Sequence, residues 1–171
     1  MGGTGLAWSM SVLAPLSVAA TDLVGRVVPP YPGGLDELGG SCVSDSPDPA
    51  RVCDYSVGVL ASPARDAGGE PVPRFVVAGQ FAGRDGARAQ WRITDALPYP
   101  VARPGDYLQF GTCRVDGRDD ARVAAIVRQR DTATAWLKDI AWAGRLKLPE
   151  GRFDRLDART VDCLNEAYDG L

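Results

Sequence analysis

The sequence predicts a mainly β protein, all-β or α+β, in which mostly antiparallel hairpins form a sandwich or a sheet with at most one helix. Short runs that alternate apolar and polar residues, separated by turns rich in glycine and aspartate, are typical of such hairpins. Four cysteines are the second observation, because they can staple a small fold with two disulfides. The 171-residue length suits one domain with a hydrophobic core.

An uncharged, apolar stretch precedes these runs. It ends with Val18 and Ala20, which place small residues where a signal peptidase requires them. The pattern predicts a signal peptide over residues 1–20 and a single β-rich domain over residues 21–171. The first residues include no lysine or arginine, which usually begin a signal peptide, so the position of the start codon stays open. A core helix is the alternative, and Pro15 disfavours it.

Charge argues against several classes of partner. The formal net charge is −3, and acidic and basic residues are interspersed along the chain. We therefore expect no electrostatic surface for DNA or RNA and no polybasic membrane patch. After cleavage of the leader, no membrane span is predicted.

The first part of the domain is predicted to hold two strands between loops. Residues 23–28 form a short apolar run that two prolines stop. Residues 29–40 contain too much proline and glycine for regular structure. Residues 55–60 alternate and predict a second strand, and residues 64–73 are predicted to form a loop.

Two hairpins give the clearest signals. Their strands are predicted over residues 74–81, 88–94, 107–114 and 122–128. Residues 82–86 supply the turn of the first hairpin, and Asp116-Gly117 is a strong turn signal in the second. The acidic tip of the second hairpin lacks the spacing of a calcium-binding loop, so turn formation explains it better.

Residues 132–148 fit either a helix or a strand, because a helical stripe and a strand face can both be drawn through their apolar side chains. The strand is favoured, since residues 149–151 have the sequence of a turn that leads into residues 152–156. This would be a third hairpin. A short last strand is expected over residues 160–163.

The four cysteines are Cys42, Cys53, Cys113 and Cys163, and they allow three pairings. Short separation favours Cys42 with Cys53 and Cys113 with Cys163, although sequence alone leaves the other pairings open. None lies in a C-x-x-C pair and the chain has no histidine, which argues against zinc. A catalytic thiol would lack its usual histidine partner. No metal or cofactor is expected.

A resemblance covers roughly the C-terminal third. It rests on Gly-Thr-Cys-Arg at 111–114, Asp-Gly at 116–117, Val-Ala-Ala-Ile-Val at 123–127, Trp-Ala at 142–143, Gly-Arg-Phe at 151–153 and Val-Asp-Cys-Leu-Asn-Glu at 161–166. This pattern resembles small exported bacterial proteins of uncharacterised function. The resemblance implies export and the pairing of Cys113 with Cys163, and it implies no activity.

No catalytic set is recognisable. Without histidine, and with only two lysines, a serine nucleophile has no evident base, and no phosphate-binding loop is present. Tyr31 and Tyr99 are candidate partner-binding residues, because each lies between two prolines whose rigid backbone can present an aromatic side chain. Packing of these tyrosines against the sheet is the alternative. Trp136 and Trp142 are expected to pack in the core.

Two functions follow from these observations. The first is a periplasmic or secreted, non-enzymatic protein that binds another envelope or secreted protein, as an inhibitor or immunity protein does. The alternative is a hydrolase that acts on cell-wall or other polysaccharide through two carboxylates.

Overall fold

The computed structural model describes residues 18–66, 68–128 and 133–168. Apart from its last three residues, the predicted leader over residues 1–20 lies outside this part of the chain. In the described residues we find thirteen strands, three short 3-10 turns and no α-helix. No helix here is long and apolar enough to cross a membrane.

The strands and turns have the following bounds. The strands are β1 Val27–Val28, β2 Asp36–Val43, β3 Tyr55–Arg65, β4 Pro71–Asp85, β5 Arg88–Pro98, β6 Asp106–Phe110, β7 Cys113–Val115, β8 Arg118–Asp119, β9 Val123–Arg128, β10 Trp136–Leu137, β11 Ile140–Lys147, β12 Arg152–Arg155 and β13 Val161–Leu164. The 3-10 turns are Ala20–Asp22, Pro32–Gly34 and Ala158–Thr160.

These strands form three antiparallel sheets stacked in layers. The outer sheet has the order β1-β5-β4-β3-β2, the middle sheet β12-β11-β9-β6 and the small sheet β10-β13-β7-β8. Two hydrogen bonds join the outer and middle sheets near β5 and β12: Thr94 donates to the Gly151 carbonyl at 2.7 Å, and Asp95 accepts from the Phe153 N–H at 2.8 Å. The predicted mainly β, antiparallel fold is confirmed.

The middle sheet is buried on both faces. Ala124 and Ile126 of β9 pack with Val57 and Val76 of the outer sheet. The intervening β9 residues Val123, Ala125 and Val127 pack with Cys113, Leu137, Val161 and Cys163 of the small sheet. Five consecutive residues of β9 are therefore buried, which explains why its sequence is a continuous apolar run rather than an alternating one.

The chain before β2 covers the other face of the outer sheet. Leu23, Val28 and Leu35 are buried there against outer-sheet residues that include Phe75 and Ile93. Burial of large apolar side chains is worth about 1.5–3 kcal/mol each. This segment is consequently part of the hydrophobic core.

The strand β2 was missed, and the predicted strand over residues 23–28 is limited to Val27–Val28. The sequence predicts a loop over residues 29–40, but β2 begins at Asp36. Gly40 looks unsuited to a strand, because glycine has low β propensity. The structure explains it by close packing: a Cβ at Gly40 would lie 2.7 Å from the Val57 carbonyl oxygen of β3. Backbone pairing with β3 decides the conformation here.

The predicted loop over residues 64–73 is also too long. β3 continues to Arg65 and β4 already begins at Pro71, so the connection is shorter. Register shifts in the β3–β4 ladder accompany Pro71 and Pro73. Such bulges let a strand contain prolines, which lack the N–H for a regular ladder.

The first predicted hairpin is confirmed as β4 and β5, with a tighter turn than expected. The second is split between two sheets. β6 pairs with β9 as predicted, but β7 pairs with β13 and β8 in the small sheet. Asp116 and Gly117 form the β7–β8 turn with φ of 50° and 74°, which is the conformation of a two-residue hairpin turn.

The ambiguity at the C-terminal end is resolved in favour of strands. β11 and β12 form the predicted third hairpin, and β13 is the predicted last strand. The helix alternative is wrong for the described part of residues 132–148. Both locally favoured disulfides are present, Cys42 with Cys53 and Cys113 with Cys163.

Candidate functional site

A cleft opens at the side of the sandwich where β2 and β6 are the free edges of the outer and middle sheets. We call it the edge cleft, and its volume is about 510 Å³. At one end the two edges meet, because a Cβ at Gly111 would lie 3.2 Å from the Ser41 hydroxyl. At the other end lies the β3–β4 connection. The edge cleft is lined by Leu38, Gly39, Val59, Asp66, Glu70, Pro71, Pro73, Tyr99, Asp106, Tyr107, Leu108 and Phe110.

Aromatic side chains form much of the wall. Tyr99 follows β5, where its N–H donates to the Arg74 carbonyl at 2.8 Å. Its hydroxyl is hydrogen-bonded to the backbone of Leu108 in β6, and burial raises the pKa of Tyr99. Phe110 extends from β6 towards the outer sheet. Tyr107 borders the edge cleft from the same strand, but its side chain packs on the opposite face with the small sheet, and burial there raises the pKa of Tyr107. The wall is therefore fixed by strands on both sides of the edge cleft.

Three carboxylates lie among these aromatic residues. Asp106 accepts from the Arg103 N–H at 3.0 Å and from Arg128 Nε at 3.1 Å. These contacts, the Arg103 hydrogen bond first, lower the pKa of Asp106. Asp66 shapes the β3–β4 connection, since its Oδ1 accepts from the N–H groups of Gly68 at 2.8 Å and Glu70 at 2.9 Å. The Glu70 side chain is exposed at the mouth.

Tyr31, the other sequence-predicted binding residue, lies elsewhere. It packs with Leu23 and Phe75 on the outward face of the outer sheet, whereas Tyr99 packs on the inward face. The Tyr31 hydroxyl donates to Glu37 Oε2 at 2.7 Å, and burial followed by this bond raises the pKa of Tyr31. The structure therefore does not bring the two tyrosines together.

The recess beside Tyr31 is too small for a ligand. Its volume is about 10 Å³, which is the space of roughly one water molecule. Glu37 fills the area above Gly40 and Gly58, since a Cβ at either glycine would lie 3.1 Å from its Oε1. Tyr31 and Glu37 thus hold the covering segment against the outer sheet.

A second exposed aromatic surface lies at the β4–β5 hairpin. Phe81 is 42% exposed and contacts Trp91 edge-to-face, with 5.7 Å between ring centroids. Together with Val52 and Arg84 they line a shallow groove of about 470 Å³ beside the Cys42–Cys53 loop. The hairpin was predicted from sequence, but the proximity of this loop was not.

Trp136 and Trp142 have different surroundings. Trp142 is buried between the outer and middle sheets, as expected. Trp136 is half-buried, and the Arg114 guanidinium lies 3.3 Å from its ring centroid. Arg114 also donates to both oxygens of Asp162, at 2.7 and 2.6 Å. These contacts link β7, β13 and β10. The Arg114 side chain is therefore already bound by Trp136 and Asp162.

Sequence reasoning found Tyr99 but not the cleft around it. Tyr107, Phe110 and Glu70 come from segments distant in the chain, and only the stacking of two sheets brings them together. A β-rich run over residues 107–114 was visible in the sequence. Nothing in the sequence showed that this run lies opposite the β3–β4 connection.

No family model, curated protein or solved structure matches this chain. The resemblance of its C-terminal third to small exported bacterial proteins therefore stays a prediction. The functional argument rests on the geometry of the edge cleft.

Proposed function

We propose that this is a non-enzymatic binding protein of the periplasm or the secreted fraction, of the inhibitor or immunity type, and that the edge cleft is its binding surface. One observation carries the proposal: an open, aromatic-walled cleft lies between the edges of two sheets that the fold holds firmly. Concave surfaces of this size, mostly apolar with a few polar groups, are typical of binding sites.

The two disulfides support an oxidising compartment. Disulfides persist in secreted and periplasmic proteins and are rare in reducing compartments. Here they join segments separated by 11 and 50 residues, and the described chain contains no free cysteine. A protein stabilised in this way can present a binding surface outside the reducing cytoplasm.

The edge cleft also meets the first requirement of the hydrolase alternative, since it contains carboxylates. A glycosidase needs one carboxyl whose pKa is raised, so that it can donate a proton. Asp106 has a lowered pKa and two donors, which keep it ionised. One oxygen of Asp66 holds the β3–β4 connection through two backbone N–H groups. These roles are structural, so binding is the better-supported function.

Affinity capture tests the proposal. The protein is immobilised and exposed to periplasmic and culture-supernatant extracts of the source organism. Alongside the wild type, two cleft variants, Tyr99→Ala and Glu70→Lys, are compared with Val101→Ala, whose site is 96% exposed and not part of the cleft lining. We expect one major captured protein, reduced at least tenfold by both cleft variants and unchanged by the control.

Circular dichroism checks that each variant is folded. Capture that is equal for all variants, or absent for the wild type, would contradict the proposal. Release of soluble fragments from peptidoglycan by the wild type, lost in Glu70→Gln, would favour the hydrolase instead.

A further inference from the structure

We infer that the edge cleft receives a basic side chain, arginine or lysine, that a partner protein inserts into it. This inference rests on the proposed binding function and names the chemistry of the partner. Three features of the edge cleft carry it: its narrow end, its strand edges and its charge.

The shape favours a projecting side chain over a segment that runs through. The two sheet edges come close together where Gly111 approaches Ser41, so the edge cleft is narrow towards that end and wider towards Asp66 and Glu70. An extended chain that crosses the surface needs room at both ends, whereas a cleft that narrows at one end can accept a group inserted from the other. The volume of about 510 Å³ lies within the range of sites for small ligands.

The strand edges beside the cleft are poorly suited to adding another strand. On the β6 side, the Tyr99 hydroxyl already bonds to the backbone of Leu108. On the β2 side, the ladder to β3 shifts register between Glu37 and Gly39. A bulge of this kind interrupts the regular row of backbone groups that an added strand would need. Recognition must therefore come mainly from side chains.

Charge then selects the kind of side chain. The described lining residues include three carboxylates and no basic group. Arg128 balances Asp106. Asp66 and Glu70 form no ion pair with a side chain that the structure describes, and both lie at the mouth of the edge cleft. A carboxylate from a partner would be repelled there, and a cation would be attracted.

The aromatic wall strengthens this preference. Tyr99 and Phe110, which pack on the side of the middle sheet that faces the outer sheet, offer ring faces or edges beside the carboxylates. A cation near an aromatic face gains about 0.5–2 kcal/mol, depending on desolvation. Arginine suits such a place because its guanidinium is weakly hydrated, stacks on rings and pairs with carboxylates. Lysine can insert its charged end with the apolar stem along the wall.

NMR titration with short peptides tests the inference. The probes are acetyl-Gly-Ser-X-Ser-Gly-amide, in which X is arginine, citrulline or glutamate. Citrulline keeps the shape of arginine and removes its charge. With the nitrogen-15-labelled protein, we expect the arginine peptide to shift amide signals of the lining residues and to bind at least fivefold more tightly than either other peptide.

Paired variants locate the effect. Asp66→Asn with Glu70→Gln removes two charges and keeps the Asp66 oxygen that accepts from the connection. We expect this double variant to weaken binding of the arginine peptide at least threefold without changing the thermal midpoint. Asp119→Asn, an exposed site in β8, is the matched control and should leave the affinity unchanged.

The outcomes separate this inference from the proposed function. Equal binding of the arginine and citrulline peptides, or signal shifts confined to another surface, would overturn it. If captured partner is nevertheless lost in the cleft variants, the binding function stands and only the choice of a basic side chain fails. If cleft-dependent capture also fails, both fall.

Discussion

At the scale of single residues, some glycines lie where strands and turns approach closely, and others only adopt a backbone conformation that favours glycine. Gly151 lies in the β11–β12 turn with φ of 65°, and its carbonyl accepts from Thr94 of the outer sheet. A Cβ at Gly151 would lie 2.6 Å from Thr94 Oγ1. Gly86 has a similar φ of 57° in the β4–β5 turn, but a Cβ there would meet nothing within 4 Å. A comparison of substitutions at the two sites therefore separates the cost of a left-handed φ from the cost of crowding.

We predict that Gly151→Ala destabilises the protein more than Gly86→Ala. A left-handed φ costs a non-glycine residue about 1–2 kcal/mol, and both variants incur this cost. Crowding against Thr94 adds about 1–3 kcal/mol at Gly151 alone. Urea unfolding followed by tryptophan fluorescence measures the difference. Equal unfolding free energies for the two variants would show that the approach of Thr94 to Gly151 is not restrictive.

At the scale of elements, the disulfides act on loops of different length. Cys42 and Cys53 close the connection between β2 and β3, whereas Cys113 and Cys163 join cross-strand partners in the small sheet. The second pair is nearly inaccessible, with 2% and 0% exposure. Removal of the Cys113–Cys163 disulfide therefore has two effects. It removes a covalent bond between distant parts of the chain, and it leaves unfilled space in a buried cluster.

We predict that Cys113→Ala with Cys163→Ala costs more stability than Cys42→Ala with Cys53→Ala. Loop-closure entropy gives about 4 and about 3 kcal/mol for these separations, and the buried pair loses packing in addition. Chemical denaturation of both double variants and of the wild type provides the comparison. The control is a thiol count on the denatured, unreduced wild type, which should find no free thiol. A larger loss of unfolding free energy for the Cys42 and Cys53 variant would refute the prediction.

Sequence patterns predicted elements well where one face of a strand differs from the other. The β4–β5 and β11–β12 hairpins were found in this way, and the Asp116-Gly117 turn was found from its chemistry. The same patterns could not assign strands to layers. β7 follows β6 closely in sequence yet belongs to another sheet, because it pairs with β13 and its Cys113 is bonded to Cys163 near the C-terminal end. The edge cleft depends on this layering, so only Tyr99 could be anticipated.

At the scale of the whole molecule, buried tyrosines make the stability of the fold depend on pH. Burial raises the pKa values of Tyr31, Tyr55, Tyr99 and Tyr107 above the ordinary value of 10.0. Their hydroxyls lie in different places, for example Tyr55 donates to the Pro149 carbonyl at 3.2 Å. The folded protein therefore retains phenolic protons at a pH where the unfolded chain loses them.

We predict that stability falls as pH rises above about 10, the unfolded pKa of tyrosine. The unfolded state then binds fewer protons than the folded state, which makes the dependence of the unfolding free energy on pH negative. Urea midpoints between pH 8 and 11 measure the slope, and absorbance at 295 nm follows ionisation. Tyr31→Phe should give a shallower slope. A wild-type midpoint that stays constant to pH 11 would rule this out.

The doubly buried middle sheet also limits how the chain can be divided. Residues 18–98, which contain the whole outer sheet, would expose Val57 and Val76 to water if they were produced without the middle sheet. The remaining described residues would expose Ala124 and Ile126 in the same way. Each fragment keeps one buried cluster of its own, but each loses the cluster that the outer and middle sheets share. Either fragment alone would therefore present one apolar sheet face to water, so the boundary between the outer and middle sheets is a poor place to divide the chain.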